Sequence, residues 1–227
     1  MQSHAALADL AGRSYRGPWS GRAAFDCEYD LLPLGDDELG VVMPGTNPDD
    51  PLDWLRDIDA APCWVRGVGP VHGGFGRGGE ALYAKIAPTI AGDPRLISFI
   101  GHSLGGAEAQ TLGGIFAARQ PGRRFRVVTF GAPRVGFLNP WLGRLLRQGV
   151  ELAEWARAGD IVPELPMRPP FNHPSRPRPI GEPVDGTPKA IDLFFRIARI
   201  SREIAANHSI QCYRSDLVAL GAPGGAT

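Results

Sequence analysis

The chain has 227 residues, enough for one domain with a sizeable core or two small ones, and 43% of them are hydrophobic. Its 24 basic and 24 acidic residues cancel, which gives no electrostatic reason to expect a nucleic acid or an anionic membrane as partner. The three cysteines, Cys27, Cys63 and Cys212, are odd in number, far apart and outside any CxxC or Cys/His cluster. They suggest neither a metal site nor a disulfide framework.

The first residues lack a basic start followed by an apolar run, and no stretch approaches the ~18 apolar residues of a membrane span. The default expectation is therefore a cytoplasmic protein, with export by a leaderless route left open. Residues 3–14 read as a short helix. "FDCEYDLLPL" (25–34) and "LGVVMPG" (39–45) read as strands joined at "GDDE". Residues 47–70, rich in Pro, Asp and Trp, read as an irregular excursion. Leu82, Ile86 and Ile90 recur every four residues, which predicts a helix over 79–90.

"RLISFI" (95–100) is short and nearly all apolar, as suits a strand buried on both faces. A small-residue helix is predicted over 104–120, a buried strand over 124–133, a helix over 139–149 and a strand within 150–160. Residues 163–188 carry nine prolines and read as a long ordered loop. An amphipathic helix follows over 188–209, with Ile191, Phe194, Phe195, Ala198 and Ile204 on its apolar face. A last helix covers about 209–220, and 221–227 reads as a flexible tail. Strands alternating with helices predict an α/β fold: a mostly parallel central sheet flanked by helices, in a single domain over 1–227.

Between the strand at 95–100 and the helix at 104–120 lies "GHSLG", matching G-x-S-x-G through Gly101, Ser103 and Gly105. Alone the pattern is weak, but the strand–turn–helix context is the one a nucleophile needs. A serine held on a sharp turn stands clear of the sheet. A side chain at Gly101 or Gly105 would collide with the neighbouring elements. The free N–H groups at the helix start, that of Leu104 first, face developing negative charge.

Serine at neutral pH needs a base, and the base needs an orienting partner. The histidines are His4, His72, His102, His173 and His208. His102 adjoins the nucleophile, so its ring is expected to point away from Oγ. Asp160 follows a predicted strand, where the loops of α/β sheets carry function. The order Ser103, Asp160, His208 is the order nucleophile, acid, base of α/β-hydrolases. His173, in the Pro-rich loop, is the alternative base.

These blocks together resemble the class 3 lipases, the fungal-type triacylglycerol lipase family of α/β-hydrolases. "VVMPGTNPDDPLDWLRDID" resembles the family's oxyanion strand and lid, "VHGGFGRG" its His-x-Gly-Phe block and "FIGHSLGGAEAQ" its nucleophile elbow. "VTFGAPRVG", "AGDIVPELP" and "NHSIQCY" resemble the next strand, the acid loop and the segment of the catalytic histidine. The blocks fall in order across about residues 39–213. The resemblance implies an α/β-hydrolase fold and a triad of Ser103, Asp160 and His208. It implies an oxyanion hole from Thr46 and the Leu104 N–H, with Gly101, His102 and Gly105 forming the elbow around Ser103.

It further implies a lid over 47–62, non-catalytic roles for His72 and His173, and no metal or organic cofactor. The implied partner is a lipid or small ester substrate, with transient contact to a lipid surface and no nucleic acid. The chain departs from the family in Pro44, where an arginine often precedes the glycine, and in lacking the fungal leader and disulfides. Its lid is also polar (Asn47, Asp49, Asp50, Asp53), which makes a soluble or monomeric ester as good a substrate as a fat droplet. An acyltransferase, a thioesterase or a non-catalytic binding module on the same fold are the alternatives to an ester hydrolase.

Overall fold

The structure is a computed structural model that describes residues 1–45, 61–138, 142–143, 149–182 and 206–221. In chain order it contains α1 (His4–Arg13), β1 (Gly21–Arg22), β2 (Glu28–Gly35), β3 (Glu38–Met43), β4 (Pro62–Val65), β5 (Gly69–His72) and α2 (Gly73–Ile86). There follow β6 (Leu96–His102), α3 (Leu104–Arg119), β7 (Phe125–Phe130), β8 (Gly136–Phe137), β9 (Val150–Arg157), β10 (Phe171–Asn172), β11 (Arg178–Ile180) and α4 (Ile210–Leu220).

The main sheet has the order β1-β2-β3-β6-β7-β9-β11. Its first two pairings are antiparallel and the rest, from β3 to β11, are parallel. Alternation along each strand gives the sheet two apolar faces. Val41, Met43, Ile97, Phe99, Phe125 and Val127 pack with α2 and α3. Val42, Ile100, Val128, Phe130 and Trp155 pack with Leu7, Ala8 and Ala11 of α1 and with Tyr213 and Leu217 of α4. Burial on both sides is why these strands read as unbroken apolar runs. The architecture is the expected mostly parallel sheet flanked by helices. Among the described residues, no helix is long and apolar enough to cross a membrane.

Three expectations change. Helix α2 starts at Gly73, six residues earlier than the apolar spacing indicates, inside a glycine-rich stretch whose propensity disfavours a helix. Packing overrides propensity there: a Cβ at Gly79 would lie 2.6 Å from Thr111 Cγ2, so glycine lets α2 close on α3. The stretch read as irregular over 47–70 contains β4 and begins β5, which belong to a small antiparallel sheet of order β10-β8-β5-β4. The Pro-rich loop of 163–188 also holds β10 and β11, because β8 and β9 offer their edges to it. The helix expected over 139–149 and the helix over 188–209 fall largely outside the described residues. So do the lid at 47–62, apart from 61–62, and the tail at 221–227, apart from Gly221.

Candidate active site

The site lies at the carboxyl ends of β6, β7 and β9, where the parallel strands give way to turns. Strand β6 ends at His102 and helix α3 starts at Leu104. Ser103 between them has φ 56° and ψ −126°, a backbone region that costs a non-glycine residue energy. Neighbouring strands hold the turn: the Ser103 N–H donates to Phe130 O of β7 at 3.0 Å, and the Gly131 N–H to Trp155 O of β9 at 2.9 Å. A Cβ on Gly101 would strike the Gly105 carbonyl, and one on Gly105 would strike the carbonyls of Met43 and Pro44. The elbow glycines are therefore there for close backbone approach, as the sequence predicts. As the first helical residue, Leu104 has no carbonyl one turn earlier in the helix to receive its N–H.

Asp160 sits beyond β9, after a left-handed Gly159 (φ 81°). Its two carboxylate oxygens divide the work. Oδ1 accepts the Val162 N–H at 2.9 Å and so caps the short turn Val162–Glu164. Oδ2 accepts from His208 Nδ1 at 2.8 Å and from the Tyr213 hydroxyl at 2.6 Å. The pair is out of solvent, with 3% of the His208 side chain and none of the Asp160 side chain exposed. Charge-assisted bonds in so dry a place fix the imidazole with its proton on Nδ1. His208 Nε2 is buried and has no hydrogen-bond partner among the described residues. An imidazole oriented by a carboxylate through one nitrogen, with the other free, is arranged to take a proton.

Gly131, at φ 58°, leaves the room this pair occupies. A Cβ there would lie 2.8 Å from Asp160 Oδ2 and 3.0 Å from His208 Cε1. Tyr213 also accepts the Arg157 N–H at 2.9 Å. Burial and the Asp160 charge push its phenol well above the usual range, so it stays a hydroxyl donor.

His102 stays within the site. Its ring stacks on that of His208, centroids 4.5 Å apart and planes at 29°. Burial and the neighbouring His208 hold its pKa well below the usual histidine value, so it is neutral. His72 is buried against Phe75 and Phe171. His173 directs Nε2 to Pro163 O at 2.7 Å. Thr46, the expected second oxyanion residue, lies outside the described residues. Sequence reasoning missed Tyr213 and Gly131. Both sit inside the quoted blocks "NHSIQCY" and "VTFGAPRVG", whose order carried the only signal. Among the described residues, no group of His, Cys, Asp and Glu could hold a metal ion.

Comparison with known proteins bears on the fold and the family. No curated protein sequence matches the chain. The Rhizomucor miehei triacylglyceride lipase is similar in fold, with TM-score 0.66 and 19% identity over 91% of this chain and 95% of that one. Lip2 lipase from Yarrowia lipolytica gives 0.64 and 23%, covering 82% and 80%. A deletion mutant of the Rhizomucor miehei lipase propeptide complex gives 0.61 and 21%, with 75% of this chain covering 63% of that longer one. The family model described as lipase (class 3) matches residues 41–169, more than half of the sequence and all of the elbow and acid loop. The chain belongs to the class 3 lipases, an α/β-hydrolase family of serine hydrolases acting on ester bonds.

Proposed function

We propose that the chain cleaves lipid carboxylic esters, acylglycerols among them, with Ser103 as nucleophile, His208 as base and Asp160 as the acid that orients it. The observation that carries this reading is the buried His208–Asp160 pair with Nε2 left open beside the strained Ser103 turn. His208 Nε2 takes the Ser103 hydroxyl proton as Oγ bonds to the acyl carbon, and the carbonyl oxygen gains the charge. The Leu104 N–H, with Thr46 as its partner, stabilises that oxyanion. As the tetrahedral species collapses, the C–O bond to the alcohol breaks and the alcohol leaves with the proton from His208. Water, deprotonated by the same nitrogen, then cleaves the acyl-enzyme and restores Ser103. Residues 47–62 act as a lid within one domain spanning the chain.

The test is hydrolysis of p-nitrophenyl esters of increasing acyl length, wild type beside Ser103→Ala, together with labelling by a fluorophosphonate. The reading expects turnover and labelling that vanish in the variant, with the chain-length optimum sizing the acyl pocket. Turnover that survives in Ser103→Ala would reject it.

A further inference from the structure

Tyr15 lies in a single 3-10 turn (Ser14–Arg16) just after α1, outside the residues matched by the family model. Its hydroxyl is 2.6 Å from His102 Nδ1, and His102 Nε2 is 2.7 Å from the His208 carbonyl oxygen. The direction of these bonds can be assigned. A carbonyl only accepts, so His102 Nε2 carries the proton. A neutral imidazole has one N–H, so His102 Nδ1 is an acceptor and Tyr15 must donate to it. The phenol oxygen in turn accepts the backbone N–H of Gly45. Gly45 precedes Thr46, and a side chain there would strike the Tyr15 hydroxyl.

One hydrogen-bonded chain therefore runs from the Gly45 turn, through Tyr15 and His102, to the main chain of His208. His102 is also covalently next to Ser103, and its ring lies flat against the His208 ring. Asp160 holds the base at Nδ1, and this chain holds it at its main-chain carbonyl and along its ring face. We propose that Tyr15 is a positioning residue of the active site, fixing the tautomer and pose of His102 so that His102 clamps His208 against the nucleophile elbow. This rests on the triad reading above. Its cause is physical: the reacting nitrogen and oxygen need placement to a fraction of an ångström, and a loose base loses rate without losing substrate.

Tyr15→Phe keeps the ring and removes only the donor. Turnover of a p-nitrophenyl ester, counted per active site titrated with a fluorophosphonate, should fall about tenfold with KM unchanged within about twofold. His102→Gln should cost about as much, and the double variant no more than the worse single one, because the two act as one unit. The imidazole proton resonance of the His208–Asp160 bond should shift in Tyr15→Phe. A purely structural anchor predicts otherwise: a lower Tm with wild-type kcat per titrated site, or losses in the two variants that multiply. Either result overturns the proposal. If Tyr15→Phe does not fold, His102→Gln carries the same test, and wild-type kcat and an unmoved resonance in it overturn the proposal equally. Ser103→Ala separates the two readings. Surviving turnover there would sink the triad itself, whereas a dead Ser103→Ala beside a wild-type Tyr15→Phe would sink only the role of Tyr15.

Discussion

Two histidines of this protein lie beside buried carboxylates, and they bond their surroundings in opposite ways. His208 bonds Asp160 through Nδ1 at 2.8 Å and leaves Nε2 open. His173 is the mirror case. Its Nε2 donates to Pro163 O at 2.7 Å, and its Nδ1 lies 3.5 Å from Glu154 Oε1. Glu154 does not need it. Oε1 accepts the Gln110 amide at 2.8 Å, and Oε2 accepts the Ser175 N–H and hydroxyl. Burial and a nearby carboxylate are common to both sites. The difference is what each ring bonds: the carboxylate itself holds His208 through Nδ1, whereas a main-chain carbonyl holds His173 through Nε2.

That difference breaks most sharply on deletion. Ser103→Ala and His208→Ala should each lower kcat on p-nitrophenyl esters by on the order of 10⁵, and the double variant by hardly more, because the pair acts as a unit. His173→Ala should keep kcat within about threefold and lower only Tm. A dead His173→Ala beside an active His208→Ala would exchange the two assignments. The carboxylates give the next largest contrast. Asp160→Asn should cost about 10⁴ in kcat by spoiling the tautomer of His208. Glu154→Gln should leave kcat near wild type and cost about 1–3 kcal/mol of stability in urea titrations, since it unbalances a fully bonded buried group. Tyr213→Phe lies between them. It strips one donor from Asp160 and one acceptor from Arg157, so a kcat loss of about tenfold should come with about 1–3 kcal/mol of stability.

The sequence made the His208 side of this contrast legible and the His173 side much less so. Ser103 stood out because an apolar strand, two spaced glycines and a small-residue helix agree on one local geometry. Asp160 and His208 followed from their order along the chain and from the resemblance of their blocks. The same is true of the sheet: β6 and β7 are buried on both faces and announce themselves as apolar runs. Helix α2 was legible only from Gly79 onward, because the reason for its first turns is the surface of α3 and not its own residues. β10 and β11 are two and three residues long and exist through edges supplied by β8 and β9. The bonds Tyr15 and Tyr213 make were hidden for a related reason. They join residues 87 and 53 positions apart, and a buried tyrosine carries no local mark of the acceptor it will meet. Thr46, the lid and the helix read over 188–209 fall largely or wholly outside the described residues, so the structure does not bear on them.

His4 sharpens the comparison at its weakest end, as a buried histidine whose neighbours are cations. It lies near the start of α1, edge-on to Trp155 with centroids 5.5 Å apart. Burial first, then the charges of Arg126 and Arg178, lower its pKa to about 4. The sign follows directly. The unfolded chain takes up a proton near the ordinary value of about 6.5, whereas the folded chain resists until about pH 4. The unfolded state therefore binds more protons in that window. The contribution of a neutral His4 is complete above about pH 6.5 and is lost progressively as the pH falls towards 4. Urea midpoints at pH 7.0, 5.5 and 4.5 should fall more steeply for wild type than for His4→Gln, which has no proton to gain. Parallel slopes would show that His4 is not held neutral. A steeper wild-type slope would place the acid-sensitive point in α1, the helix that leads into Tyr15. Mild acid would then act first on the support that α1 gives to Tyr15 and, through it, to His102.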